Sequence, residues 1–207
     1  MKVNLIAHTS NADALVGRAA AICTDATDWA KARQHAMESG HESVAEHAAF
    51  TFRIEGVSRA LLAQLTRHRI ASFSVQSQRY VDMGEMPYVT PPSLEGNSEI
   101  RSSYKIMMDS IRDFYRAAVD AGIPKEDARY ITPQAACTDL ILTMNARELR
   151  HFFSLRCCNR AQWEIRALAN RMLALCEEKA PELFKDAGPG CVRGKCPEKR
   201  PCKEGRA

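Results

Sequence analysis

The chain has 207 residues, 45% of them hydrophobic, and a net charge of +4, enough for one well-filled core and short for two. No run of eighteen apolar residues occurs, which argues against a membrane-spanning helix, and MKVNLIAHTS lacks the charged start, apolar stretch and cleavage site of a secretory signal, so a cytoplasmic protein is expected. Residues 188–207 carry six Lys or Arg against two Glu, a surplus equal to the charge of the whole chain, so residues 1–187 balance near zero. The expected division is a single domain over 1–187 and a basic, Cys-containing tail over 188–207. Without a secretory signal the eight cysteines read as mostly reduced thiols.

KVNLIA opens as a strand, and Ala14–Ala21 and Trp29–Met37 have helical character. GHESVAEH (40–47) groups two histidines with two glutamates, but His41 and His47 are six apart where a zinc-protease helix needs four, and no metal is expected. Glu46 and His47 read as the start of the next strand, with His41 in a loop. HAAFTFRIEG sets Phe50, Phe52 and Ile54 against Thr51 and Arg53, the period of a half-buried strand. SRALLAQLTRHR reads as a helix capped by Ser58 and ending near Arg69. Its spacing puts Gln64, Arg67 and His68 on one face and Leu61, Leu62 and Leu65 on the core side.

RHRIASFSVQSQRY (67–80) concentrates three arginines, a histidine and three serines. Arginine forks match phosphate oxygens, and hydroxyls with free backbone N–H groups complete an anion's shell, so the segment reads as an anion-wrapping loop. It reads equally as a basic helix end that complements the helix dipole, and spacing leaves both open. Pro87, Pro91 and Pro92 mark irregular chain over 80–97. Ile100, Tyr104, Met107, Ile111, Phe114 and Ala118 then recur at helical spacing up to Gly122. Pro124 suits the first turn of a short helix carrying Arg129.

Asn145 with Glu148 forms a capping box for a helix through Phe153, and Asn159 with Gln162 a second for a helix ending near Lys179. Arg147, His151 and Ser154 share a face of the first. Arg156 falls at the break, where it either points into a cleft or stands as a solvated hinge residue. The adjacent Cys157 and Cys158 read as small buried residues rather than nucleophiles. CVRGKCPEKRPC in the tail has neither a CxxC knuckle nor a fourth ligand, and its Gly, Pro and Lys read as disorder. Together the elements make a mixed α+β domain, helix-rich in its second half.

RHR, seven residues, then Ser within SQRY resembles the signature of the flavin-dependent thymidylate synthases. The likeness extends over most of the chain: GHESVAEH and FTF before the signature, SRALLAQLTRHR into it, and GIPKEDAR, NARELRHF, LR and AQWEIR after it, in that family's order. The resemblance implies that family's α+β fold, with an antiparallel or mixed sheet, assembled as a homotetramer whose subunits share active sites. It also implies reductive methylation of dUMP to dTMP, with 5,10-methylenetetrahydrofolate as carbon donor and NADPH as reductant through FAD.

By the same resemblance Ser43, Arg67, His68, Arg69, Asn145, Arg147 and His151 are expected to contact FAD. Gln64, Arg67, Gln76, Ser77, Gln78, Arg79, Arg129 and Arg156 are expected to contact dUMP, and His41 to lie near flavin and folate. Val75 stands where the family often has a polar residue, so the backbone is expected to serve there, at Val75 for FAD or dUMP and at Gln76 for dUMP. Arg156 is the expected catalytic group, stabilising negative charge on the pyrimidine. Ser77 lacks the partners of an activated nucleophile and reads as a binding residue. A nucleic-acid-binding module using the arginine cluster and tail is the alternative, and it leaves GHESVAEH and AQWEIR unexplained.

Overall fold

The computed structural model describes residues 1–192 together with 194, 196, 199, 201 and 202. Its sheet is antiparallel, with β1 (Lys2–His8), β2 (Ala49–Ser58), β3 (Ala71–Val75) and β4 (Cys137–Asn145) in the order β1-β2-β4-β3. One face is apolar by strict alternation: Phe50, Phe52 and Ile54 of β2 are fully buried and sit opposite Met144, Leu142 and Leu140 of β4. The other face carries Thr51 and Thr143, whose hydroxyls meet at 3.0 Å. The α+β class expected from the sequence is the class observed.

Helices α1 (Ala12–Ile22), α2 (Trp29–Glu38), α6 (Ala146–Arg156), α7 (Trp163–Lys179) and α8 (Pro181–Phe184) cover the apolar face. They contribute Val16, Ala36, Leu149, Phe152, Phe153, Leu168, Met172 and Phe184 to one core with the strands. A smaller cluster of Met83, Met86, Tyr115, Ala128 and Ala136 seats α4 (Ser98–Asp120) and α5 (Lys125–Ala128). The 80–97 segment is mostly irregular, as its prolines require, and contains one 3-10 turn at Pro92–Leu94.

Several boundaries differ from the sequence expectation. β3 replaces the anion-wrapping loop over 71–75: Ala71, Phe73 and Val75 pack on the core while Ser72 and Ser74 face outward opposite Thr143 and Ile141. Its partner β4 has no counterpart among the expected elements, although LILTM alternates. Glu46 and His47 belong to a 3-10 helix, Glu42–His47, rather than to the strand. Pro124 caps α5 from outside its first turn, and Arg129 caps its end. Asn145 caps α6 as expected, its Oδ1 accepting from Glu148 N–H at 2.9 Å. The cap of α7 is Gln162, which accepts from Glu164 N–H and Ile165 N–H, and not Asn159. Ala187 is fully buried and Gly190–Val192 forms a 3-10 turn. The disorder expected over 191–202 falls in part on residues 193, 195, 197, 198 and 200, which lie outside the described ones.

Gly56 sets the start of the signature helix. The β2–β4 register shifts between Ile54 and Val57, and Gly56 adopts φ +67°, a conformation glycine takes without a Cβ clash, while its N–H donates to Asp139 Oδ1 at 2.8 Å. The chain then enters α3 (Arg59–Leu65) at Ser58, whose Oγ accepts from Leu61 N–H at 3.0 Å. Glu164, almost fully buried, accepts from the Ser58 N–H at 2.8 Å and from its hydroxyl. The AQWEIR segment thus anchors the helix that leads into RHR.

Candidate active site

Thr66 terminates α3, so Arg67, His68 and Arg69 lie on the turn into β3 and do not share a helical face with Gln64. On this turn Arg67 and Arg69 are exposed while His68 points inward, at 5% exposure. Nδ1 of His68 is 3.1 Å from Glu148 Oε1, and Nε2 accepts from Arg156 Nε at 3.2 Å. The ring packs edge-on against Phe152 at 5.0 Å and lies 6.0 Å from the His151 ring. Both ring nitrogens are used within the chain, so a ligand meets the His68 ring face or backbone rather than its polar atoms.

Burial, and secondarily the charge of Arg156, lowers the His68 pKa against the opposing pull of Glu148. Burial and the charge of Arg67 lower that of Arg156. Arg156 closes α6, and its Nη2 donates weakly to Gln64 O at 3.5 Å. A groove of about 360 Å³ runs between these groups, walled by Arg67, His68, Arg69, Ile70, Glu148, His151, Leu155 and Arg156. A second depression of about 410 Å³ shares Ile70, Glu148 and His151 and adds Glu42, Glu46, Asn145 and Arg147. Arg147 is paired with Glu46, which raises its pKa. Ser43 and His41 are exposed on and beside the 3-10 helix that supplies Glu42 and Glu46, without themselves walling either depression.

The remaining expected residues gather at the other end of β3. Val75 turns its side chain to the core, which leaves only backbone for a ligand. Gln76 N–H donates to Asp139 O at 2.9 Å, and Gln78 Nε2 to Thr132 Oγ1 at 3.2 Å. Ser77 Oγ accepts from Arg79 N–H at 3.2 Å, the bond of a turn rather than of a primed nucleophile. Arg79 Nε donates to Glu126 Oε2 at 2.8 Å, and Arg129 Nε to Glu126 O at 3.0 Å.

The structure adds Arg59 to this group. Its Nη2 donates to Gln76 O at 3.3 Å, its buried Nε has no hydrogen-bond partner, and burial followed by the charge of Arg129 lowers its pKa. Three guanidiniums, one incompletely satisfied, surround a serine-bearing turn, as an oxyanion site requires. Nothing in SRALL marks Arg59 for this role, because only the fold brings residue 59 beside residue 76.

Burial pushes up the thiols of Cys137 and Cys176, so neither is a poised thiolate. Among the described residues no three His, Cys, Asp or Glu side chains converge as a metal site would require. The lining has the chemistry a flavin dinucleotide would need: Arg67, Arg69 and Arg147 are cations of the kind that phosphates require, and Ile70 and Leu155 are exposed apolar surface of the kind that ring faces require.

Residues 4–182 match the family model described as Thymidylate synthase complementing protein. The flavin-dependent thymidylate synthase of Geobacter sulfurreducens is 51% identical over 212 residues, covering 96% of this chain and 91% of that protein. That of Nitratidesulfovibrio vulgaris is 52% identical over 171 residues, covering 78% and 70%. A crystal structure of the Helicobacter pylori flavin-dependent thymidylate synthase with FAD and dUMP superimposes with a TM-score of 0.74 at 27% identity, covering 91% of this chain and all of that one. With residues 4–182 matching the family model and a relative 51% identical over 96% of this chain, the chain belongs to the flavin-dependent thymidylate synthase family.

Proposed function

We propose that the protein reductively methylates dUMP to dTMP, taking one carbon from 5,10-methylenetetrahydrofolate and two electrons from NADPH through FAD. Because NADPH supplies the electrons, the folate leaves as tetrahydrofolate. The observation that carries the reading is the groove at α6: guanidiniums for phosphates, apolar ring surface, and Arg156 held at one wall. Arg67, Arg69, Arg147, Asn145, His151 and Ser43 would hold FAD, with His68 contributing its ring face. Bound flavin supplies the two-electron carrier between NADPH and the pyrimidine.

Arg79, Arg129 and Arg59, with the Gln76–Gln78 turn, would take the nucleotide phosphate. Gln64 and Arg156 would face the base, and His41 the folate side. Uracil C5 is a poor nucleophile, and a guanidinium beside the ring would stabilise the anionic character that develops as it attacks.

Supporting a shared site in a homotetramer, β3, about 13 Å between its end Cα atoms, stands between the Arg67–Arg69 turn and the turn that carries Arg79. In further support, α4 presents Ile100, Ile106, Met107 and Phe114 at least half exposed, surface that a second copy would cover. No helix among the described residues is long and apolar enough to cross a membrane; the location proposed is the cytoplasm. The test is a visible spectrum under anaerobic conditions, before and after NADPH, followed by dUMP and methylenetetrahydrofolate with product analysis. Flavin absorbance, its bleaching, and equal yields of dTMP and tetrahydrofolate are expected; a protein colourless and inactive with added FAD would overturn the reading.

A further inference from the structure

Glu148 walls both depressions, yet one of its oxygens is committed inward, 3.1 Å from His68 Nδ1. Across the imidazole, Nε2 lies 3.2 Å from Arg156 Nε. A guanidinium N–H can only donate, so Nε2 must be the unprotonated nitrogen, and the ring proton must sit on Nδ1 and be donated to Glu148. The three side chains therefore form one hydrogen-bonded chain with a single polarity, running from carboxylate through imidazole to guanidinium. His68 and Glu148 are 5% and 7% exposed, and Phe152 fixes the ring plane. Burial lowers the imidazole pKa and so favours the neutral ring, the form that can accept at Nε2.

Arg156 needs such a hold. It is the last residue of α6, its side chain has large rotamer freedom, and its other hydrogen bond is 3.5 Å long. We propose that Glu148 is a positioning residue for Arg156, acting by fixing the His68 tautomer that holds the guanidinium at the groove wall. The inference rests on the reading of Arg156 as the group that faces the pyrimidine. In Glu148→Gln the carboxamide can present its NH2 to Nδ1, which moves the ring proton to Nε2 and sets N–H against N–H at Arg156. Displacing a reacting group by about 1 Å is worth about 100-fold in rate.

The experiment is steady-state kinetics of the FAD-loaded enzyme with ¹⁵N NMR of the His68 ring. Wild type is expected to carry the proton on Nδ1, and Glu148→Gln on Nε2, with flavin retained and kcat down about 10- to 100-fold. In an Arg156→Lys background, which lacks the Nε–H, adding Glu148→Gln is expected to change kcat less than about twofold, because the two residues act in one chain. Wild-type kcat in Glu148→Gln, or an equal loss in both backgrounds, would overturn the proposal. So would an Nε2–H or doubly protonated His68 in the wild-type holoenzyme, a result that does not depend on any variant folding. Wild-type turnover in Arg156→Ala would instead overturn the reading of Arg156 on which the proposal rests.

Discussion

Arg150→Ala is expected to destabilise the protein by about 3 kcal/mol. The Arg150 side chain is 2% exposed, and its guanidinium joins three segments. Nε donates to Glu42 at 3.2 Å, Nη1 to Leu183 O at 2.7 Å and to Asp186 Oδ1 at 2.8 Å, and Nη2 to Asp186 Oδ2 at 3.3 Å. Burial works against this charge, but the hydrogen bond and charge of Asp186, with Glu42, outweigh it and raise the pKa. Breaking a buried pair typically costs about 3–5 kcal/mol. Glu42 and Asp186 keep 25% and 45% exposure and can be rehydrated, which places the loss at the low end of that range. For a chain of this size about 3 kcal/mol lowers Tm by about 6–12 °C. Urea denaturation at fixed protein and FAD concentration should show a lower midpoint with an unchanged m-value. Arg150→Lys, which keeps the charge and loses the fork, should fall between the two. A stability of Arg150→Ala within about 0.5 kcal/mol of wild type would refute the account, since ordinary surface substitutions do no more.

Arg156→Ala is expected to lower kcat by about 100- to 1000-fold while the flavin spectrum persists, the loss typical of removing one donor from a developing anion; wild-type turnover would remove it from the mechanism. Arg59→Gln should weaken dUMP binding by about tenfold or more, the value of one charge-assisted hydrogen bond, measured by calorimetric titration, and unaltered affinity would show that Arg59 is only structural. Stability should be flat above the ordinary imidazole value of 6.5 and fall below it, because the unfolded chain takes up the His68 proton before the folded one, whose pKa burial depresses. Glu148, Arg156 and His151 are the ionisable neighbours that act on this ring. The slope from this residue is at most about 1.4 kcal/mol per pH unit, and a His68→Gln protein whose stability falls in parallel with wild type would exclude it as the source.

What could be read without the fold was whatever depends on near neighbours in the chain. Phe50, Phe52 and Ile54 alternate within five residues, the α4 apolar positions recur every three or four, and Asn145 meets Glu148 one turn away; each signal is local and each element formed. β3 was missed because its outward serines resemble a loop until Thr143 and Ile141 pair opposite them. Arg59 and Glu164 were missed for the same reason, since their partners Gln76 and Ser58 lie 17 and 106 residues away. The family resemblance implied that His68 contacts FAD, and the spacing alone put it on a helical face with Gln64 and Arg67. The turn after α3 points it inward between two exposed arginines, and long-range contacts then use both its nitrogens.

The contiguity of RHRIASFSVQSQRY in sequence conceals a separation in space. A loop could fold its arginines around a single anion, but the five-residue strand β3, paired with β4 along its length, stands between Arg67 and Arg69 at one end and Arg79 at the other. Arg67 and Arg69 therefore belong with α6, and Arg79 with Arg129 and Arg59. β3 is also an edge strand, so the chain reaches both half-sites with one side of its backbone unpaired. If FAD and dUMP must meet for hydride transfer, the half-site built around Arg79 has to be presented to the groove of another copy. On that argument, dilution below the oligomer's dissociation constant should abolish turnover even while each chain remains folded.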